Sequence, residues 1–416
     1  MKVLKSIKTI CVALLVIMIS GCDSWLDLKP IDKVLEDQLY ETEEGFKQSL
    51  TGVYVELNQR NLYGGDLMFR MVEILAQRYN LSSIGTYKEW VAYNYSDDDV
   101  KSSIDGLWQK MYALIMNCNK LMENADLRKD VFTGDNYNLI YGEALALRAM
   151  LHFDLLRLFG PVYKTNPEGL SICYNKKFSY EGSNILPASE VIANVLTDLK
   201  KAEELLANDP VITEGPRNTT AADGNNDLRL RTYRLNYYAV QALMARVYLY
   251  AGQNENALTM ARKLVEIQPV WYPFVKYNAI MESSNKKKDR VFSTEVLFGL
   301  ENKQRGDIFT DYFTPELDNG ILAPTNTSLL NIFLSENSSD WRFTPFWIKP
   351  DNGKYTFRCF HKYEATEESD PFYSYLVPMI RISEMFYIVA ETTDDESEAR
   401  ACLNQIRRNR GLIAFE

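Results

Sequence analysis

The chain has 416 residues, 46% of them apolar and 25% charged, an ordinary globular composition that can bury a substantial core and excludes a disordered tract. Its net charge of −10, with no Lys/Arg-rich stripe to offset it, argues against nucleic acid or an anionic membrane surface as a partner. The 26 Tyr, 19 Phe and 6 Trp suit packing and the recognition of sugars or peptides equally, so composition does not choose between them.

At the N-terminus, Lys2, Lys5 and Lys8 precede an apolar run from Ile10 to Ile19, and Ile19-Ser20-Gly21-Cys22 closes it. A run of this length falls well short of the roughly 20 residues that span a bilayer, so residues 1–21 read as a signal peptide; loss of its three lysines takes the net charge from −10 to −13. Ile19 is too large for an ordinary A-x-A-like cleavage site. The tetrapeptide resembles a bacterial lipobox, which implies that Cys22 is acylated and becomes the first residue. Two or three acyl chains, at about 0.8 kcal/mol per buried methylene, hold a protein on a membrane without a spanning helix.

Residues 22 to about 40 read as a tether. Phe46, Leu50 and Val53 predict a helix over 43–58, and Leu107, Tyr112, Ile115 and Leu121 predict another over 107–124. The strongest periodicity, Ala144, Leu147, Leu151, Leu155 and Leu158, predicts a helix from Tyr141 to Phe159 that Gly160-Pro161 stops. Val191, Val195, Leu199 and Leu206 predict a helix after Pro187. From Tyr233 to Ile267 the small residues Ala239, Ala242, Ala245, Ala257 and Ala261 flank Gly252 and predict a helix-turn-helix of tetratricopeptide type. A second pair is expected over 379–391 and 396–410. The stretch 268–378 carries turn signals and short β-like runs at Val296–Gly299 and Tyr355–Phe360. Loops this long are usually functional, so the expectation is a mainly α scaffold with a large irregular face, residues 22–416 forming one domain.

No pattern singles out catalysis, a cofactor or a metal. His152 and His361, the only histidines, read as structural, and Cys118, Cys173, Cys359 and Cys402 lack any C-x-x-C or neighbouring-His spacing and read as free thiols. Paired carboxylates for glycoside hydrolysis depend on spatial separation, which spacing along the chain does not give. Glu143, Arg148, Asp154 and Arg157 are better explained by ion pairing of a packed helix. Asp97-Asp98-Asp99 lacks the spaced pattern of a calcium loop and reads as a solvated acidic turn or helix cap.

Much of the chain resembles the SusD/RagB family. Cys22-Asp23-Ser24-Trp25-Leu26-Asp27 with Pro30 and Phe46 resembles its opening. Trp108, Tyr112, Ile115 and Asn119 resemble its first long helix, and Gly142-Glu143-Ala144, Leu147-Arg148-Ala149 and Phe153 to Gly160 its most recognisable segment. Leu243 and Ala245 to Tyr250 with Ala257 match a helical repeat, Asp340 with Arg342 a loop motif, and Pro378, Arg381, Glu384, Ala390-Glu391, Asn404, Arg407 and Arg410-Gly411 the closing helices. Members usually continue past the position of Gly411, whereas this chain stops at Glu416, as a short variant or a truncated record would.

The resemblance implies a non-catalytic, surface-exposed outer-membrane lipoprotein of Bacteroidetes that delivers glycans or other oligomers to a SusC-like TonB-dependent transporter. A peptide- or glycoprotein-binding receptor and, less favoured, a surface hydrolase of the same polymer are the alternatives. For the ligand site, Tyr87, Trp90, Tyr93, Asn94 and Tyr95 crowd one expected loop, and Tyr312, Phe313, Trp341 and Trp347 enrich the irregular region. Flat rings stack on pyranose faces while Asn and Asp answer hydroxyls. The expected ligand-binding set is Trp90, Tyr93, Asn94, Tyr95, Trp341 and Trp347, with Trp90 stacking beside Trp341 or Trp347.

Overall fold

Capping and burial together set where the first helices begin. The computed structural model describes residues 38–81, 85–179, 181–217, 227–317, 320–334, 338–350, 357–367 and 371–416, so the expected signal peptide, Cys22 and most of the tether lie outside the described residues. Thr42 accepts the Gly45 N–H and opens α1 (Glu43–Leu57), which buries Phe46, Leu50, Val53, Tyr54 and Leu57 along one side. Asp97 accepts the N–H groups of Asp99 and Val100 and opens α2 (Asp98–Leu127). The acidic run is therefore a cap, with Asp98 and Asp99 in the first turn where the helix dipole favours negative charge. This helix starts nine residues before the predicted Leu107, because its first turns bury only Val100 and carry little apolar period.

The helix α3 (Asn136–Phe159) is apolar almost all round and buries residues on every side, from Leu139 to Leu156. It is the axis of the scaffold. On one side it packs on α2 and on the other on α4 (Ala188–Leu205), where Gly142 lets the chain at Leu206 come close: a Cβ there would lie 2.9 Å from Leu206 Cγ. Next come α5 (Tyr237–Tyr250) and α6 (Asn254–Trp271), turned at Gly252 with φ +72°, and then α7 (Ile382–Thr392) and α8 (Glu396–Arg408). Ala239, Ala242, Ala245, Ala257 and Ala261 are fully buried where α5 and α6 approach each other. Contacts then run from α4 to α5, α6, α7 and α8 in turn, a mainly α stack of tetratricopeptide-like pairs.

Among the described residues the strands form two-stranded antiparallel pairs: β1 (Leu170–Cys173) with β2 (Ile185–Pro187), β3 (Val296–Glu301) with β6 (Leu376–Arg381), and β4 (Trp347–Ile348) with β5 (Cys359–Phe360). The predicted helix over 379–391 is corrected here. Residues 379–381 finish β6, since Pro378 lacks a ladder N–H but tolerates the extended backbone, and the helix begins at Ile382. One apolar cluster runs from Tyr40 to Ile406, and satellites gather around Phe292 with Phe346 and around Ile321 with Cys359. Cys118, Cys359 and Cys402 are buried free thiols, and Cys173 is half-buried.

His152 is structural. Its Nε2 accepts the Asn175 N–H at 3.0 Å, so Nδ1 carries the proton and donates to the Arg148 carbonyl at 2.9 Å, while the ring stacks on Tyr174 at 3.9 Å. Burial presses its pKa down to about 3, with the Arg148 charge adding to it against the opposing hydrogen bond to the Arg148 carbonyl. A depressed pKa means the unfolded chain binds the extra proton, so this stability is intact above the free value near 6.5 and is lost as pH falls toward 3, at about 1.4 kcal/mol per unit within that window. Urea unfolding at pH 7 and pH 5 should therefore show a larger loss for the wild type than for His152→Gln. Equal losses in both proteins would contradict a neutral, buried imidazole.

Candidate ligand-binding site

The irregular face is organised by one turn of π-helix, Asp66–Arg70, a form that often marks functional positions. Gly65 makes the turn possible: a Cβ at this position would sit 2.3 Å from the Arg60 carbonyl oxygen and 2.9 Å from the Tyr312 hydroxyl. The chain thus lays Asp66 and Arg70 side by side, with Arg70 Nε 2.5 Å from Asp66 Oδ1, both half-buried. The Arg70 guanidinium stands 5.7 Å from the Trp90 ring centroid, and Arg60, paired with Asp311, lies 5.8 Å from the Tyr312 ring. Tyr87 donates to the Gly320 carbonyl at 3.4 Å. Burial pushes the phenols of Tyr87 and Tyr312 upward, and both feel the charges of Arg70 and Asp66, so the four side chains share one neighbourhood.

Trp90, expected as an exposed stacking platform, is only 5% exposed and belongs to the main core. Its position in the short helix Lys88–Val91 turns the indole inward under Arg70, so it supports the site from beneath. Tyr87, Tyr312 and Phe313 are likewise buried. The rings that face solvent are Tyr93, 44% exposed, and Tyr95, 52% exposed. Tyr93 has φ +54°, a left-handed conformation rare for a bulky residue, and is held by its hydroxyl donating to the Leu75 carbonyl at 3.0 Å. Asn94 is exposed and donates to Glu89 at 2.8 Å while accepting the Ser96 N–H at 3.3 Å, which leaves part of its amide capacity for a ligand.

Trp341 and Trp347 join the satellite around Phe292 and Phe346, a different cluster from that of Trp90. Both are half-buried: Trp347 packs on Phe360 at 4.6 Å across the β4–β5 pair. The Trp341 ring meets Tyr277 at 5.3 Å, and the Trp341 backbone N–H donates to the Arg410 carbonyl at 2.9 Å. Trp90 is therefore not an exposed partner for either tryptophan: Asp66 and Arg70 share a neighbourhood with Trp90, Tyr87 and Tyr312, while Tyr93, Asn94 and Tyr95 are exposed in the turns that follow the Trp90 helix. The sequence reading passed over Asp66 and Arg70. The turn signal Gly64-Gly65 immediately before a charged residue was the available clue.

The structure thus sets an aromatic and charged irregular face on a helical-repeat scaffold. Over residues 24–224 the chain matches the family model described as SusD-like, starch-binding associating with outer membrane. SusD-like protein P2 of Formosa agariphila is 22% identical over 264 residues, covering 63% of this chain and 46% of that protein, so the chain spans about half the length of the curated relatives it matches. Among solved structures, a putative sugar binding protein from Bacteroides vulgatus is 23% identical with a TM-score of 0.66, over 89% of this chain and 78% of the other. The surface glycan-binding protein A of Bacteroides uniformis is 17% identical with a TM-score of 0.67, over 90% and 82%. Over residues 24–224 the chain is thus similar to the SusD-like family, and its fold is that of the solved SusD-like structures.

Because the Trp90 indole is part of the core, Trp90→Ala should cost about 3–5 kcal/mol of stability, whereas Tyr95→Ala should stay within about 0.5 kcal/mol. Urea melts of the two variants compare them directly. Unchanged stability in Trp90→Ala would return that ring to the surface.

Proposed function

We propose that this protein is a non-catalytic, lipid-anchored receptor of the outer membrane that binds an oligosaccharide on its irregular face and passes it to a SusC-like TonB-dependent transporter. Anchoring is through Cys22, with the body facing the cell exterior. The observation that supports the ligand half of this reading is the exposed run Tyr93-Asn94-Tyr95, which follows the short helix whose Trp90 underlies Arg70 and its ion pair with Asp66. Such a surface answers both faces of a sugar, since rings cover the apolar C–H face while amide, carboxylate and guanidinium groups exchange hydrogen bonds with hydroxyls. The half-buried ion pair of Asp66 with Arg70 fixes the polar groups in advance, so little ordering is left to the moment of binding. Residues 22–416 act as one body in this reading, and Trp341 and Trp347 contribute at most a second contact region for a long oligomer.

Affinity electrophoresis against a panel of polysaccharides should retard the wild type in at least one gel. Replacing Tyr95 or Tyr93 with Ala should then weaken binding by about 2 kcal/mol, roughly thirtyfold, without shortening the polymer on prolonged incubation. Retardation that survives both substitutions would move the site elsewhere, and release of shorter products would make the protein a hydrolase.

A further inference from the structure

Around Tyr363, which packs on Phe69 of the π-helix, lies a concentration of positive charge that the sugar reading does not use. Arg290 and Arg305 are each 2% exposed. Arg290 donates from Nε to the Pro345 carbonyl at 2.8 Å and brings Nη2 to 3.2 Å from Glu364, and its Nη1 has no hydrogen-bond partner among the described residues. Arg305 donates from Nη1 to the Tyr373 carbonyl at 2.7 Å and approaches Thr366 at 3.5 Å, and its Nε is also without a partner among the described residues. Lys362, half-buried, lies 5.2 Å from the Tyr363 ring, and half-buried Arg381 reaches the Phe292 ring at 5.8 Å.

Among the described residues, three carboxylates near these cations are already engaged. Glu295 holds Arg410 through both oxygens and accepts the Val275 N–H, Asp289 accepts from the Ser293 N–H and hydroxyl, and Glu364 is shared between His361 and Arg290. All four cations are pressed toward their neutral forms. Burial, and then Arg381 and Arg305, take the Lys362 ammonium down to about 7, and burial lowers Arg305 to about 10 and depresses Arg290 and Arg381. Burying charge in this way costs several kcal/mol per ion unless a counter-charge repays it. The group that would offset these cations further is an anion.

We propose that Arg290, Arg305, Lys362 and Arg381 form an oxyanion site, and that its natural occupant is the carboxylate or sulfate of an acidic sugar. Guanidinium groups with free N–H edges are matched in geometry to such planar or tetrahedral oxyanions. The site lies close to the ligand face, because Tyr363 packs edge-on against Phe69, the residue before Arg70, at 4.7 Å. The oxyanion site stands on its own geometry; only the acidic-sugar source rests on the glycan reading.

Calorimetric titration of the full chain with sodium sulfate, at fixed ionic strength against sodium chloride, tests the site. Wild type should bind sulfate, and Lys362→Gln and Arg381→Gln, two variants at the accessible side of the cluster, should each weaken it at least tenfold while circular dichroism shows the fold retained. Sulfate behaving like chloride, or binding unchanged in both variants, overturns the oxyanion site. Titration with glucuronate and with glucose separates the sources: glucuronate binding that either variant weakens supports the acidic sugar, whereas sulfate binding without glucuronate binding overturns that source and leaves an inorganic oxyanion. Loss of all neutral-polysaccharide retardation alongside intact sulfate binding would count against the glycan receptor alone.

Discussion

A single buried arginine holds the scaffold to the irregular face. Arg231 is 1% exposed, and its Nη1 lies 2.7 Å from Glu143 of α3 while its Nε and Nη2 reach both oxygens of Asp209 at 2.9 and 2.7 Å. Every partner is itself saturated. Glu143 accepts the Tyr54 hydroxyl from α1, that hydroxyl accepts the Leu235 N–H, and Asp209 accepts the N–H groups of Val211 and Tyr237. Asn236 then donates to the carbonyls of Arg231 and Leu297, which carries the network into β3. Removing one member leaves an uncompensated buried charge, at a cost of about 3–5 kcal/mol, so the network specifies one arrangement of helices and sheet.

From that junction the rest follows by contiguity. Arg148 repeats the device one turn and a half along α3, gripping Asp198 of α4 through two hydrogen bonds and Asn119 of α2 through a third, and so fixes three helices around one axis. The β3–β6 pair continues the frame and delivers the short helix Arg305–Tyr312, whose last residue closes over Gly65. The irregular face is thus held to the scaffold by the saturated network around Arg231 and by the contact of Tyr312 with the Gly65 turn, which keeps Asp66 and Arg70 in register.

The helices were legible in the sequence because their signal is local: apolar spacing along α1, α3 and α4, and small residues around Gly252, are set within a few turns. The reach of α2 back to Asp98 was not, since its first turns are polar and depend on the Asp97 cap. Likewise the ion pairing expected of Glu143 and Arg148 is present, but its partners are Arg231 and Asp198, remote in sequence and buried. Aromatic density marked the 87–95 loop, yet alternation between Trp90 inward and Tyr93 and Tyr95 outward depends on a short helix and one left-handed residue that no local spacing reveals. Asp66 and Arg70 acquire meaning only when Gly65 meets Tyr312, some 250 residues away along the chain.

Hydrogen exchange reads whether the proposed ligand face is preformed on an unmoving helical frame. With a saturating oligosaccharide chosen from the polysaccharide that retards the protein, slowed exchange should appear in residues 60–96 and in the loops beside Arg305–Tyr312, while α3, α5 and α6 keep their rates. Protection spread along α5 to α8, with the 60–96 segment unchanged, would contradict a preformed face.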